Sequence, residues 1–305
     1  VWSAPHVTLE QGTGLVHTAP GHGAEDYRVG LEHDLEVFAP VDDRGCFTDE
    51  VPAYSGTYVH KANDAVIDDL TKAGALLNPK GQKIEHSYPH CWRCKQPIVF
   101  RATPQWFVDL EHNGFRRRAL EEIDKTRWIP HWGRDRIFGM VEGRPDWCLS
   151  RQRVWGVPLP IFYCADCGEP LLEAKVAYHV ADLFDAHGSD HWFQNEPKDL
   201  IPEGTKCNKC GAPEFKKETD IVDVWFESGV SWAAVCEDKE NLGLPVDLYL
   251  EGSDQHRGWF HSALLTGVAT RDKAPYKAVL THGFVVNKDG QPYSKTLKNY
   301  SPPTK

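Results

Sequence analysis

The sequence contains no run of about 18 apolar residues, the length a helical membrane span needs, so none is expected. It has no internal repeat and no low-complexity tract, which argues against repeat and fibrous architectures. Positive charge is not in excess: 34 Lys and Arg stand against 44 Asp and Glu, for a formal net charge of -10. A surface of that sign is unsuited to holding nucleic acid nonspecifically. Any such contact would need local patches, such as Arg116-Arg117-Arg118 or Arg151 and Arg153. For the arginine triplet alone, a solvated helix face is the favoured reading. The opening residues Val1-Trp-Ser-Ala-Pro-His6 show neither an initiator Met nor a secretory pattern. The closing Ser301-Pro-Pro-Thr-Lys305 reads as a linker, and both ends are expected to be cut ends.

What is present suits a globular α/β protein. The 305 residues suffice for two domains with cores, and 41% of them are hydrophobic. Nine cysteines are present. Four form two tight turns, Cys164-Ala-Asp-Cys167 and Cys207-Asn-Lys-Cys210, and a third turn is Cys91-Trp-Arg-Cys94. Two-residue spacing suits a metal turn better than a disulfide, and with no export signal a reducing, cytoplasmic compartment is expected. Cys46, Cys148 and Cys236 read as small buried hydrophobes.

Three stretches follow one another. Residues 1–75 mix short β-like runs with glycine turns. Gly12 to Gly23 is expected to end a strand in a glycine-rich loop, and Ala24 to open a helix with Glu25 and Asp26 in its first turn. Asn63 to Ala75 reads as an amphipathic helix closed by Gly74. Residues 76–145 carry Cys91 and Cys94, then Phe100 to Phe107, a helix from about Asn113 to Lys125, and a turn with Pro130 and Gly133. Residues 146–305 have the rhythm of a parallel sheet. A strand Asp247–Glu251 meets the turn Gly252-Ser253-Asp254 with a capping residue. A helix from Gln255 to Thr270 and a strand from Ala278 to Val286 complete a crossover, with polar groups at the strand's carboxyl end. An insertion over 160–215 precedes it.

The chemistry of these motifs is unequal in strength. Cys164, Cys167, Cys207 and Cys210 are expected to hold one structural Zn2+, because four thiolates close a tetrahedron and leave no open position. Cys91 and Cys94 offer half a site, completed either by His86 and His90 or by sequence elsewhere. The loop Gly12–Tyr27 gathers His17, Thr18, His22, Glu25 and Asp26; Asp26 could grip an ammonium group or orient a water. The rival reading is a plain turn with a capped helix. In Pro292-Tyr-Ser-Lys-Thr296, Lys295 beside Ser294 suits the growing charge of an attacked phosphate, and an exposed surface loop is the rival.

Taken together, these segments resemble the class I aminoacyl-tRNA synthetases, and within them the isoleucyl branch. Gly12–Tyr27 is similar to the editing signature of the isoleucyl, valyl and leucyl group. His90–Lys95 with Arg101–Phe107 looks like the return path from the editing insertion, and Asp146–Pro160 like the re-entry into the catalytic domain. Asp223-Val-Trp-Phe-Glu-Ser-Gly229 fits the same group. Glu251-Gly-Ser-Asp-Gln-His-Arg-Gly-Trp-Phe260 favours the isoleucyl branch over the valyl one. The resemblance implies the C-terminal half of a Rossmann-type catalytic domain over 146–305, preceded by part of a β-rich editing domain over 1–75 and a return segment over 76–145.

The resemblance also implies roles. Glu251, Gly252, Asp254, Gln255 and Trp259 would line the aminoacyl-adenylate pocket, with Trp259 walling the branched side chain. Lys295 and Ser294 would contact ATP, which enters with Mg2+ as a substrate. Asp26 would hold a misloaded amino acid's ammonium group, and His17 would position its ester end. Isoleucine and valine differ by one methylene, worth about 1–3 kcal/mol in a pocket, so a second, hydrolytic sieve is needed. The implied partners are isoleucine, ATP and tRNA(Ile), with no membrane.

The sequence departs from the family at Pro292, which stands where the mobile loop has its first lysine. The HIGH signature, the threonine-rich half of the editing pocket and an anticodon-binding region are not found in it. A fragment, or one piece meeting a complementary chain, is therefore expected, without isoleucine activation of its own. A stand-alone deacylase and a zinc-dependent binding module are the rival functions.

Overall fold

The computed structural model describes residues 1–293, apart from 11, 79, 80, 84, 92 and 93, and residue 299. The chain divides into two units, Val1–Pro104 and Gln105–Lys305. No helix among the described residues is long and apolar enough to cross a membrane.

In the first unit, α1 (Ala24–Glu32) begins directly after Gly23, with Glu25 and Asp26 in its first turn where the dipole favours carboxylates. Helix α2 (Asn63–Lys72) is closed by Gly74, which supplies the left-handed φ of 67° at its end. The strand expected ahead of the glycine-rich loop is not there, and β-rich character is not found among the described residues of this unit. Among the described residues its strand-like pairings are isolated bridges, such as Val41 with Phe47 and Cys46 with Tyr58. An extended segment becomes a strand only when it pairs with a second backbone, and residues 15–19 take part in no strand pairing among the described residues.

The second unit runs β1 (Phe107–Val108), α3 (Phe115–Lys125), β2 (Arg127–Ile129), α4 (Trp132–Glu142), β3 (Trp147–Cys148) and β4 (Ser150–Arg151). The insertion follows with β5 (Phe162–Cys164), α5 (Ala174–His187), α6 (His191–Gln194), α7 (Pro197–Leu200) and β6 (Phe215–Lys217). Then come β7 (Ile221–Val222), α8 (Val224–Gly229), a π-helical turn Trp232–Glu237, β8 (Tyr249–Gly252), a 3-10 turn Ser253–Arg257, α9 (Trp259–Arg271) and β9 (Ala278–His282).

The central sheet is parallel, in the order β2-β9-β8, with Val279 opposite both Trp128 and Tyr249. The expected crossover is present as β8-α9-β9. Helix α9 is apolar on every side, so it is buried on every side: Phe260 through Val268 are all within the core. Helix α3 packs against α9 and helix α4 against α3, with Ala119, Ile123, Ile137 and Val141 at helical spacing, each fully buried in the same core. The insertion has its own core, built on Phe162, Trp192 and Leu200.

Four expectations change here. The turn expected around Pro130 and Gly133 is the entry to α4. Gly133 is not a chain breaker but a packing requirement, because a Cβ there would stand 3.0 Å from His256 Nε2. The helix expected from Gln255 is split at Gly258 into a 3-10 turn and α9. The arginine triplet is no solvated face either. Arg116 reaches Val141 O at 2.6 Å and Arg118 pairs with Asp272 at 2.8 Å, so both tie α3 to its surroundings. Cys46, Cys148 and Cys236 are half-buried, short of the full burial expected.

His261 sits within α9 at 2% exposure with neither ring nitrogen hydrogen-bonded. Burial, aided by the positive charges of Arg144 and Arg257, pushes its imidazole down to about 3. Below about pH 6.5, the ordinary histidine value, the unfolded chain takes up a proton that the native chain refuses, so stability falls as pH drops towards the folded value. His261→Leu should therefore flatten the loss of stability between neutral and mildly acidic pH. It should also gain about 1 kcal/mol at neutral pH by removing unpaired polar atoms, as measured by urea unfolding. A steeper acid dependence in the variant would contradict this.

Candidate functional site

The carboxyl ends of β8 and β9 lie side by side, with Gly252 opposite His282. In a parallel sheet that edge is where ligands collect. Glu251 Oε2 accepts from the Gly252 N–H at 2.9 Å and stands 3.8 Å from His282 Nε2. A Cβ at Gly252 would come within 2.8 Å of Asp254 Oδ1, so a side chain there would push the Asp254 carboxylate aside. Asp254 Oδ2 accepts from Gln255 Nε2 at 2.9 Å, and Gln255 Oε1 accepts from the Trp259 N–H at 2.8 Å. The capping duty expected within the turn thus falls to Gln255, which satisfies an orphan donor at the start of α9. The Trp259 ring stacks on Tyr249 with centroids 4.1 Å apart. Burial pushes the Tyr249 hydroxyl up to about 12, so it stays protonated.

Helix α8 supplies the facing wall. Asp223 caps it, accepting from the Trp225 N–H at 3.2 Å with one oxygen. Its other oxygen takes Trp147 Nε1 at 2.9 Å and an Arg151 guanidinium N–H at 2.8 Å. Arg151 is therefore committed to a buried carboxylate, which is 4% exposed. From that anchored helix Trp225 reaches over Gly258, where a Cβ would stand 2.8 Å from its ring. The arrangement sets two indoles and a tyrosine beside two carboxylates and an amide. Such a site can grip a ligand that has an apolar side chain at one end and polar groups at the other.

The four cysteines of the insertion converge. Cys164 and Cys210 have sulfurs 3.5 Å apart, Cys167 and Cys207 have theirs 3.6 Å apart, and all four lie within 4.8 Å of one another. A tetrahedral ion with bonds of about 2.3 Å separates its ligands by about 3.8 Å, so the spacing fits one soft metal. N–H groups of Cys210 and Lys209 hold the Cys207 thiol down to about 6. Among the described residues this is the one group of three or more such side chains with metal-binding reach.

Cys91 and Cys94 form a turn of the same build. In each turn the first cysteine's N–H bonds the carbonyl five residues on, and its C=O accepts from the N–H four residues on. That fourth residue is left-handed every time: Lys95 at φ 61°, Gly168 at 72° and Gly211 at 77°. His86 and His90 are not brought in as third and fourth ligands. Their Nδ1 atoms bond Ser87 O and Tyr88 O instead.

The other expected residues are more scattered. Asp26 Oδ2 accepts from the Ala19 N–H at 2.9 Å, fastening the glycine-rich loop to α1. His17, on the same loop, is exposed. Beyond β9 a hairpin closes through Asn287 N to Gln291 O at 2.9 Å and leads towards Ser294 and Lys295, which lie outside the described residues. Two site residues went unnamed individually in the sequence. Trp225 was visible only as part of Asp223–Gly229, and His282 only as the polar end of an apolar strand.

A family profile described as tRNA synthetases class I (I, L, M and V) matches residues 25–305. Among curated proteins, the isoleucine–tRNA ligase of Syntrophotalea carbinolica is 59% identical over 298 residues, covering 98% of this chain and 32% of that protein. The isoleucine–tRNA ligase of Geobacter sulfurreducens is 56% identical over 299 residues, with the same two coverages of 98% and 32%. The chain thus spans about a third of the length of the curated relatives it matches. The solved Mycobacterium tuberculosis methionyl-tRNA synthetase bound by methionyl-adenylate is 14% identical, over 69% of this chain and 32% of that one. Its TM-score of 0.39 is too low to support a conclusion about the fold.

The break at Gly258 is testable. A Cβ there would also meet Gln255 Oε1 at 2.5 Å. Gly258→Ala should displace both Gln255 and Trp225, costing about 1–3 kcal/mol in denaturant unfolding. Wild-type stability in that variant would show that the two walls are not in contact.

Proposed function

This chain belongs to the class I tRNA synthetases (I, L, M and V), and from that premise we propose that it is a segment of an isoleucine–tRNA ligase. The full protein would activate isoleucine with ATP, transfer it to tRNA(Ile), and hydrolyse mischarged valyl-tRNA, acting in the cytoplasm. High identity to isoleucine–tRNA ligases over nearly the whole chain supports the reading. The observation that carries it is the meeting of Glu251, Gly252, Asp254, Gln255 and Trp259 at one strand end.

In the proposed chemistry the isoleucine carboxylate attacks the α-phosphate of ATP, pyrophosphate leaves, and the adenylate stays bound. Trp259 walls the aliphatic side chain, while Asp254, Gln255 and Glu251 serve the polar end. Lys295, with Ser294, meets the charge that grows on the phosphates, alongside the Mg2+ that accompanies ATP. A hydroxyl of the terminal ribose of tRNA(Ile) then attacks the activated carbonyl and releases AMP. We assign residues 1–75 to part of the editing domain, 76–145 to the return segment, and 146–305 to the second catalytic half with its insertion at 160–215. Asp26 would hold the ammonium group of a misloaded valine; one of its oxygens accepts from Ala19, and a carboxylate has capacity for further donors. His17 would position the ester. An edge is left on β8 among the described residues, which suits pairing with the other catalytic half, whether in one chain or two.

Cys164, Cys167, Cys207 and Cys210 would hold one Zn2+, which crosslinks the two turns and leaves no site for catalysis. Cys91 and Cys94 would contribute half of a second site, with ligands from another part of the protein.

Two outcomes are expected. Freshly purified protein should contain zinc, and Cys207→Ser should lose the distal ion and cost several kcal/mol of stability; zinc-free protein with an unaffected variant would remove the metal from the proposal. A sulfamoyl analogue of isoleucyl-adenylate should bind, and Trp259→Ala should weaken it by about tenfold or more. Release of valine from valyl-tRNA(Ile) by this chain, abolished in Asp26→Ala, would instead favour the rival reading of a stand-alone deacylase. Equal analogue binding by Trp259→Ala would overturn the pocket.

A further inference from the structure

The Trp259 indole is held by a short segment between α8 and the π-helical turn. Its Nε1–H is shared between Ser228 O at 3.0 Å and Ser231 Oγ at 3.1 Å. Tyr249 is the ring on which Trp259 stacks, with an interplanar angle of 20°. The Ser231 hydroxyl therefore holds the polar edge of the indole while Tyr249 supports its face. The segment that carries it is fixed to α9, because Thr266 Oγ1 donates to Gly229 O at 2.7 Å and Gly229 leaves room for only a glycine against Ser262. Ser231 stands at the point where α8 gives way to π-helical bonding, a change of register that recurs at functional positions.

We propose that Ser231 is a positioning residue for the amino-acid slot: its hydroxyl fixes the rotation of the Trp259 indole against Tyr249, and so sets the width by which isoleucine is told from smaller side chains. This rests on the assignment of Trp259 to that slot. An N–H with two acceptors on one side is pinned in plane as well as in distance. With Ser231 truncated, the indole keeps Ser228 O and loses no hydrogen bond outright, so folding suffers little. What is lost is the second constraint. A wall that can tilt forfeits the contact energy of a single methylene, which is all the slot has to work with.

The test uses this chain labelled with 15N-tryptophan. Trp259→Phe identifies the Trp259 indole signal by its disappearance. In Ser231→Ala that signal should shift and exchange faster with water, and Ser231→Thr should restore it. Calorimetry with the sulfamoyl analogues of isoleucyl- and valyl-adenylate then reads discrimination. Ser231→Ala should weaken the isoleucyl analogue by about threefold to tenfold and leave the valyl one within about twofold. In a Trp259→Phe background, Ser231→Ala should have no further effect on the ratio. If circular dichroism shows Ser231→Ala unfolded, Ser231→Cys, which keeps the size but offers a weaker acceptor to the indole N–H, should move the same signal. An unmoved indole signal, or an unchanged ratio despite a moved signal, overturns the role of Ser231 alone. Failure of the wild-type chain to bind either analogue overturns the slot, and with it this inference.

Discussion

The site depends on how closely α8 can approach α9. Gly229 makes the approach possible: a Cβ there would stand 3.0 Å from both the backbone and side chain of Ser262. At that distance side-chain hydroxyls can bond across the gap to main-chain oxygen, as Thr266 does, and Trp232 closes the same contact by donating to Thr266 Oγ1 at 3.1 Å. Everything at the strand end inherits this spacing. Trp225 overhangs Gly258, Trp259 turns its N–H to the α8 side, and Tyr249 fills the space beneath. Van der Waals packing at this density transmits small changes, so a methyl group added at Gly229 or Gly258 would act on the site without touching its polar groups.

Charge is spent inside the unit rather than displayed. Arg116, Arg118 and Arg151 would each have suited a phosphate, yet each is engaged by the chain itself. Arg151 shares Asp223 with an indole N–H, and Asp223 in turn starts α8. These three cations serve the frame that orients the aromatic residues.

The parallel crossover was legible because its signals are local. Two short apolar runs flank a longer apolar stretch, and a glycine turn carries the polar residues. The four-cysteine cluster was legible for a similar reason, since paired spacing fixes geometry before any fold is known. Helix α4 was not, because Gly133 reads as punctuation until His256 is seen facing it. Nor was the capping by Gln255, whose side chain folds back four residues in a way no cap pattern records. Ser231 carried no signal at all: a serine means little until an indole from a different element arrives at it. The strand expected near residue 15 shows the opposite limit, since extended sequence alone does not provide a neighbour.

Strand β8 bonds β9 on one flank and, among the described residues, nothing on the other, while Leu250 on it is 50% exposed. A bare flank of that kind is an adhesive seam. In dilute solution at neutral pH it will recruit whatever backbone it meets, including another copy of itself. The strand that carries Glu251 and Gly252 on its tip is thus also the one whose solubility depends on company.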